Sequence, residues 1–279
     1  MAAMITGDDA VSDRALYRLL SWISPAFPVG AFSYSHGLEA MVESRVVDDG
    51  TSLAAWVAAV VAHGGGRVDA DIMRDAYRAT EAGDVTALIA ANRRGLAFRT
   101  TAELARESSA QGAAFLATCS TAWPDEFLDR WAMAGDGPRP AASMDQVGEP
   151  TAENAPDLAL AHTTREGATP PTTVQRQAGE GVCYAAALGA AMARAAVPLQ
   201  PALVACLQAM AANLVSAGLR LGIIGQTDGQ RILAALEPVT IRAAQDAITR
   251  GPADFGGATF AVDLASMAHE TQYTRLFRS

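Results

Sequence analysis

The sequence predicts an all-α protein, a single-domain bundle of about ten helices, and three observations lead to this fold class. Half of the residues are hydrophobic but only 6% are aromatic, so Ala, Leu and Val must fill the core. Such small apolar side chains suit closely packed helices better than sheets. Apolar residues recur at helical spacing along most of the chain, and no alternating stretch is long enough for a convincing strand.

The first half of the chain is expected to be one helix after another. The opening helix carries leucines at helical spacing and ends before Pro25. Later helices are bounded by Asp residues suited to N-capping, by a run of glycines, and by a Thr and a Glu at the spacing of a capping box. Helices are predicted over 14–23, over 38–47, from Thr51 or Ser52 to the glycines at 64–66, over 69–80, over 84–98, and from Thr100 and Glu103 towards Ser120.

The second half changes texture twice. Residues 134–178 mix prolines with Gly, Ser, Thr and acids, which predicts a mobile insertion. Residues 181–225 are strongly apolar, and a buried helix pair is preferred to a membrane hairpin because prolines and polar residues interrupt the run. Thr227 and Gln230 predict another capped helix, which reaches about Arg250. Residues 268–279 are expected to form a flexible C-terminal tail.

Composition excludes several classes of function. The net charge is −9, and no basic stripe tracks phosphates, so nucleic acid is not an expected partner. All 21 basic residues are Arg. Without Lys the chain has neither a Walker A loop nor a Schiff-base amine of its own. Three separated cysteines suggest no disulfide framework, and the N-terminus lacks the pattern of a signal peptide, so a cytoplasmic location is predicted.

The stretch FPVGAFSYSHGLE at 27–39 combines features that rarely occur together. Its Pro and Gly residues punctuate the backbone, two Phe residues add apolar surface, and polar side chains follow. Such residues form either a fixed turn or a contact surface. We expect Phe27 and Phe32 to anchor a bend between two helices, and His36 and Glu39 to contact a partner.

Two chemical alternatives were weighed for the same stretch. Ser35 in SYSHG suggests a serine hydrolase with His162 or His269 as the base, but the strand that precedes a nucleophile elbow is missing. His36 and Glu39 would share a helix face, yet two ligands do not make a metal site. The residues thus predict no catalytic group, no metal site and no cofactor.

Three segments together resemble one known family. They are FPVGAFSYSHGLE, the later GLRLGIIGQTDGQRIL and the terminal MAHETQYTRLFRS. In this order and at these intervals they resemble the urease accessory protein F family. The resemblance covers most of the chain outside the Pro-rich segment, which is longer than the family pattern leads us to expect.

The resemblance implies a non-enzymatic adaptor. A member of this family would form a homodimer and bridge accessory protein D, called H in some organisms, to the nickel-carrying GTPase, accessory protein G. Nickel would then enter apo-urease, with an influence on the GTP hydrolysis of the partner, and no membrane would be involved. The tail is expected to become ordered when accessory protein D binds. The partner-binding residues carried over from the resemblance are Phe27, Pro28, Gly30, Phe32, Ser33, His36, Gly37 and Glu39 in the first segment, and His269, Glu270, Tyr273, Arg275, Leu276, Phe277 and Arg278, followed by Ser279, in the tail.

Overall fold

The computed structural model describes residues 11–132 and 181–279, and these residues form α-helices joined by turns, without a β-strand. The predicted all-α fold is confirmed. The predicted insertion at 134–178 and His162 lie outside the described residues. The helices are α1 (Asp13–Trp22), α2 (Leu38–Glu43), α3 (Gly50–His63), α4 (Gly65–Glu81), α5 (Val85–Ala97), α6 (Ala102–Ala122), α7 (Glu126–Trp131), α8 (Tyr184–Arg194), α9 (Leu199–Arg220), α10 (Gln226–Thr249) and α11 (Phe260–Glu270).

The centre of the bundle is the pair α4 and α8. Every residue from Ala185 to Met192 in α8 is buried. A Cβ on Gly189 would lie 2.3 Å from the carbonyl oxygen of Met73 in α4, so the two backbones touch at this point. The Ala-rich composition of α8 thus allows a close helix crossing, as the low aromatic content of the sequence predicted.

Several predicted helix boundaries need correction, because local cap signals compete with one another. Asp49, and not Thr51 or Ser52, caps α3: its carboxylate accepts from the amide of Ser52 at 2.7 Å. The glycines at 64–66 end α3 as predicted, with Gly64 as its C-cap, but the next helix begins at Gly65 and not at the predicted Asp69. Helix α7 was not predicted.

Three further ends also differ from the predictions. Helix α2 is shorter than the predicted 38–47, because the chain turns after Glu43 and Arg45 takes a left-handed φ of 58°. Thr101, and not Thr100, caps α6 by accepting from the amide of Leu104 at 3.3 Å. Helix α10 begins after Gly225 without a side-chain cap, so the predicted capping box is wrong.

The 27–39 segment lies where four helices meet. It leads into α2, and α2 packs against both α11 and α9. A 3₁₀ turn at Ala31–Ser33 contacts α9, while α6 contacts α11 from the other side. The first and last parts of the chain are therefore neighbours in the fold.

Candidate partner-binding site

The 27–39 segment forms a tight bend with repeated left-handed backbone angles. Gly30, His36 and Gly37 have φ of 71°, 54° and 77°. A Cβ on residue 37 would lie 2.6 Å from the amide nitrogen of Ser266 in α11. Gly37 therefore allows the start of α2 to lie directly on α11, and the expected bend between two helices is present.

The two phenylalanines of the bend have different environments. Phe27 is 8% exposed, and its ring lies 5.2 Å from that of Phe115 and 6.3 Å from that of Trp123, measured between centroids. Phe32 is 66% exposed. Phe27 alone anchors the bend, and the expectation that Phe32 does so as well is wrong, because its side chain faces outward at the 3₁₀ turn.

The carboxylate of Glu39 binds the backbone of the C-terminal tail. It accepts from the amide of Leu276 at 2.6 Å and from the amide of Phe277 at 2.9 Å. The residue is buried, so these charge-assisted bonds form away from water. Glu39 was expected to contact a partner. In this structure its carboxylate holds the tail instead, because α2 points it inward.

A second carboxylate, Glu103 of α6, continues this network. The ring of His269 is fully buried between the two acids, with Nδ1 2.7 Å from Glu103 Oε2 and Nε2 3.2 Å from Glu39 Oε2. Arg275 donates to the other oxygen of Glu103 at 2.5 Å. Each ring nitrogen thus faces a carboxylate, and the end of α11 is tied to both α2 and α6.

A third carboxylate, Glu107, lies one helical turn further along α6. It accepts from the hydroxyl of Ser279 at 3.0 Å and from Gln111 Nε2 at 3.0 Å, and it pairs with His36 Nε2 at 3.0 Å. Burial opposes the charge on His36, but the attraction of Glu107 and Asp69 outweighs it, so the pKa of His36 is raised above its ordinary value.

The last five residues, 275–279, lie along the 27–39 segment, and their own backbone bends at Leu276 and Phe277. Arg278 donates its amide to the carbonyl of Ser33 at 2.8 Å, and the backbone oxygen of Ser279 accepts from both the amide and the hydroxyl of Ser35. The ring of Phe277 is 4% exposed and lies beneath the guanidinium of Arg220 at 4.4 Å. We call the groove formed by Ser33, Ser35, Glu39, Glu103 and Glu107 the tail seat.

The structure separates the predicted partner-binding residues by exposure. Flexibility was predicted over 268–279, whereas 268–270 belong to α11 and 275–279 are held in the tail seat. The buried members are Phe27, Gly37, Glu39, His269, Phe277 and Ser279; the half-buried ones are Gly30, Ser33 and His36; the exposed ones are Pro28, Phe32, Glu270, Tyr273, Arg275, Leu276 and Arg278.

Sequence reasoning missed two acids of the seat and the arginine above Phe277. Glu103 was assigned to a capping box, and Glu107 and Arg220 were not considered. The spacing of Glu103, Glu107 and Gln111 by four residues places all three on one face of α6. Two acids on a face that also packs inward could have indicated a buried polar network.

Ser35 is not placed as a nucleophile. Its side chain is fully buried, its hydroxyl donates to the oxygen of Ser279, and it lies 3.4 Å from the amide of Glu39. Of the two proposed bases, His269 has both ring nitrogens facing carboxylates, and His162 lies outside the described residues. The hydrolase alternative therefore has no support in this geometry.

Metal binding and membrane spanning receive little support from the described residues. Within 11–132 and 181–279 no three His, Cys, Asp or Glu side chains form a group able to hold a metal ion. Helix α9 is the one helix of this part of the chain that is long and apolar enough to span a membrane. This is weak evidence, since a core helix has the same composition, and 44% of the apolar window is buried.

Comparison with known proteins adds sequence similarity to this geometry. The family model described as UreF matches residues 47–237. The urease accessory protein UreF of Rhodopseudomonas palustris strain HaA2 is 42% identical over 270 residues, which cover 97% of this chain and 96% of the relative. For strain TIE-1 the identity is 40%, with 97% and 95% covered. The corresponding protein of Bradyrhizobium sp. strain ORS 278 is 39% identical over 265 residues, with 95% and 92% covered.

Proposed function

The chain belongs to the UreF family of urease accessory proteins and thus serves urease maturation, and we propose that it does so as a non-catalytic adaptor. As a homodimer in the cytoplasm, it bridges accessory protein D or H to the nickel-carrying GTPase, accessory protein G. Nickel is the cargo of this assembly and apo-urease is its recipient. The chain influences GTP hydrolysis by the partner and hydrolyses no nucleotide itself.

The observation that carries this proposal is a set of exposed apolar side chains on α11 and on the C-terminal tail. We call Phe260, Leu264, Met267, Tyr273 and Leu276 the outer row. Their exposed fractions are 79%, 65%, 47%, 102% and 62%. The first three are spaced by four and three residues and lie on one face of α11. Large apolar groups left in water in this way are typical of a surface that a partner covers.

The tail seat holds one member of the outer row, Leu276, in place. Binding by a fully disordered tail would require the tail to lose its conformational entropy when the partner arrives. Here Glu39 fixes the backbone of residues 276 and 277, so that Leu276 already projects outward. We assign the outer row to accessory protein D, together with the exposed cations Arg275 and Arg278 at its rim.

The absence of Lys supports a division of labour with the GTPase. A self-contained P-loop needs a Lys on the β- and γ-phosphates, and this chain has none. Nucleotide chemistry accordingly belongs to accessory protein G.

Reconstitution tests the adaptor role. Apo-urease is incubated with nickel, GTP and the other accessory proteins, with and without this chain, and urease activity is measured. We expect activity to depend on the chain, and we expect the chain to co-purify with accessory proteins D and G. Full activation without it, or its failure to join partners that are themselves folded, would show that the adaptor role is wrong.

A further inference from the structure

The terminal segment 275–279 is bound largely through its backbone. Main-chain groups of the segment bind Ser33, Ser35 and Glu39. Phe277 and Ser279 are buried in the seat, and Arg275 pairs with Glu103 although its side chain is partly exposed. Leu276 and Arg278 are exposed. Main-chain hydrogen bonds combined with side chains held in pockets are a common way to recognise a peptide segment.

Three residues of the segment each meet a group that can distinguish them from other residue types. Arg275 donates to Glu103, and the hydroxyl of Ser279 donates to Glu107. Phe277 is enclosed under the guanidinium of Arg220, which also donates to the carbonyl of Phe32. The seat therefore selects the pattern Arg-x-Phe-x-Ser.

The connection between α11 and this segment contributes little to recognition. The last backbone hydrogen bonds of the helix end join Thr271 to Ala268 and Gln272 to His269. Tyr273 is 102% exposed and Thr274 is exposed as well. Recognition thus begins at Arg275, and nothing in these contacts requires the segment to come from the same chain.

We propose that the tail seat is a peptide-binding site that also accepts residues 275–279 of a second copy of this chain. A second copy carries the same residues 275–279 that occupy the seat within one chain, so the same contacts can form between two copies. In the unaltered chain the cis segment competes at an effective concentration of about millimolar. Exchange between copies therefore occurs when the resident segment has left the seat. The proposal does not rest on the adaptor role, since no other accessory protein takes part.

A labelled peptide tests the seat in the full-length chain. The host carries Phe277→Ala, which weakens the binding of the resident segment without altering the walls of the seat, and the probe is the fluorescent peptide QYTRLFRS from residues 272–279. We expect a saturable rise in fluorescence anisotropy with this host. The unaltered chain should bind the peptide at least about tenfold more weakly, because its seat is occupied.

Peptide variants separate specific recognition from adhesion. Phe277→Ala or Arg275→Ala in the peptide should weaken binding by about tenfold or more, whereas Leu276→Ala, which keeps the amide that Glu39 binds, should change it by less than about threefold. Circular dichroism checks that the Phe277→Ala host keeps its helices. If this host loses its helices, a second host with Arg275→Ala replaces it. The proposal would be overturned if a folded host did not bind the peptide, or if Leu276→Ala weakened binding as much as Phe277→Ala and Arg275→Ala do.

Exchange between whole chains is tested by competition. A full-length copy with Phe277→Ala is immobilised, and a second copy with Glu39→Ala, whose own seat is weakened, is passed over it. The unaltered peptide should displace the second copy, and the Phe277→Ala peptide should not. If neither peptide displaces it, the copies meet through another surface and the exchange between copies is refuted.

Discussion

Among single residues, Glu39 joins the two ends of the chain through three contacts. It binds two amides of the tail and faces the ring of His269. Hydrogen bonds to a charged group contribute about 1.5–3 kcal/mol each, and leaving the buried partners unpaired adds to the loss. We expect Glu39→Ala to lower the free energy of unfolding by about 3 kcal/mol, measured by urea denaturation. Glu43→Ala, at an exposed position of the same helix, should have almost no effect, and equal effects would contradict this role.

Alanine substitutions at Gly37 and Gly30 form a matched pair that tests the close approach of α2 to α11. Both have a positive φ, so Ala pays a conformational cost of about 1–2 kcal/mol at either position. A Cβ at Gly30 has nothing within 4 Å, whereas at Gly37 it meets backbone atoms of Ser266 and Ala265 at 2.6 and 2.8 Å. Thermal denaturation should therefore show a clearly larger loss for Gly37→Ala than for Gly30→Ala. Similar losses would mean that the two helices do not touch there.

His36 makes the stability of this region depend on pH. Burial works against its charge, but Glu107 and Asp69 favour the charge more strongly, so the pKa is raised. A raised pKa contributes stability that is fully present below the ordinary value of 6.5 and is lost as the pH rises through the folded pKa. The free-energy difference between the unaltered chain and His36→Asn should thus be larger at about pH 6 than at about pH 9. Denaturation at several pH values measures it, and a constant difference would contradict the pairing with Glu107.

Among the elements, the tail can be removed without disturbing the bundle. Its outer residues are exposed, and Phe277 is the only residue of 273–279 in the hydrophobic core, so the other core contacts remain when the tail is removed. Deletion of residues 273–279 should abolish complex formation with accessory protein D and leave the circular dichroism of the helices nearly unchanged. Normal binding by the truncated chain would show that the tail is not a partner surface.

The elements also show what a sequence can and cannot predict. Helical periodicity indicated most helices, because each is specified by residues three and four apart. Helix ends are harder to predict than the helices themselves, because the choice between Thr100 and Thr101 as the cap of α6 depends on one hydrogen bond. The predicted capping box assigned the side chain of Glu103 to the helix cap, so its hydrogen bond to Arg275 was not predicted.

The tail seat itself joins residues far apart in sequence. Glu39 and Phe277 are separated by 238 positions, so no local pattern can reveal that one binds the other. The resemblance identified both segments as important, but it could not show that they bind each other. The structure also distinguishes two adjacent residues of the tail, because Phe277 is enclosed and Leu276 is exposed.

At the scale of the whole molecule, a helical bundle holds its own tail in an acidic seat and thereby keeps Leu276 exposed as part of the outer row. The core pair α4 and α8 fixes the bundle, and α2, α6 and α11 converge on the tail. Two leucines provide the contrast needed to test this account: Leu276 in the outer row is 62% exposed, and Leu20 on α1 is 58% exposed. Replacing either with Asp adds the same charge at similar exposure.

The most direct test is therefore the affinity of accessory protein D for the full-length chain, measured by titration onto immobilised protein. Leu276→Asp should weaken binding by about tenfold or more, as expected for a side chain near the centre of an interface. Leu20→Asp should leave the affinity within about twofold of the unaltered chain. Equal affinities for the two variants, or a larger loss for Leu20→Asp, would contradict the claim that the seated tail presents the partner-binding surface.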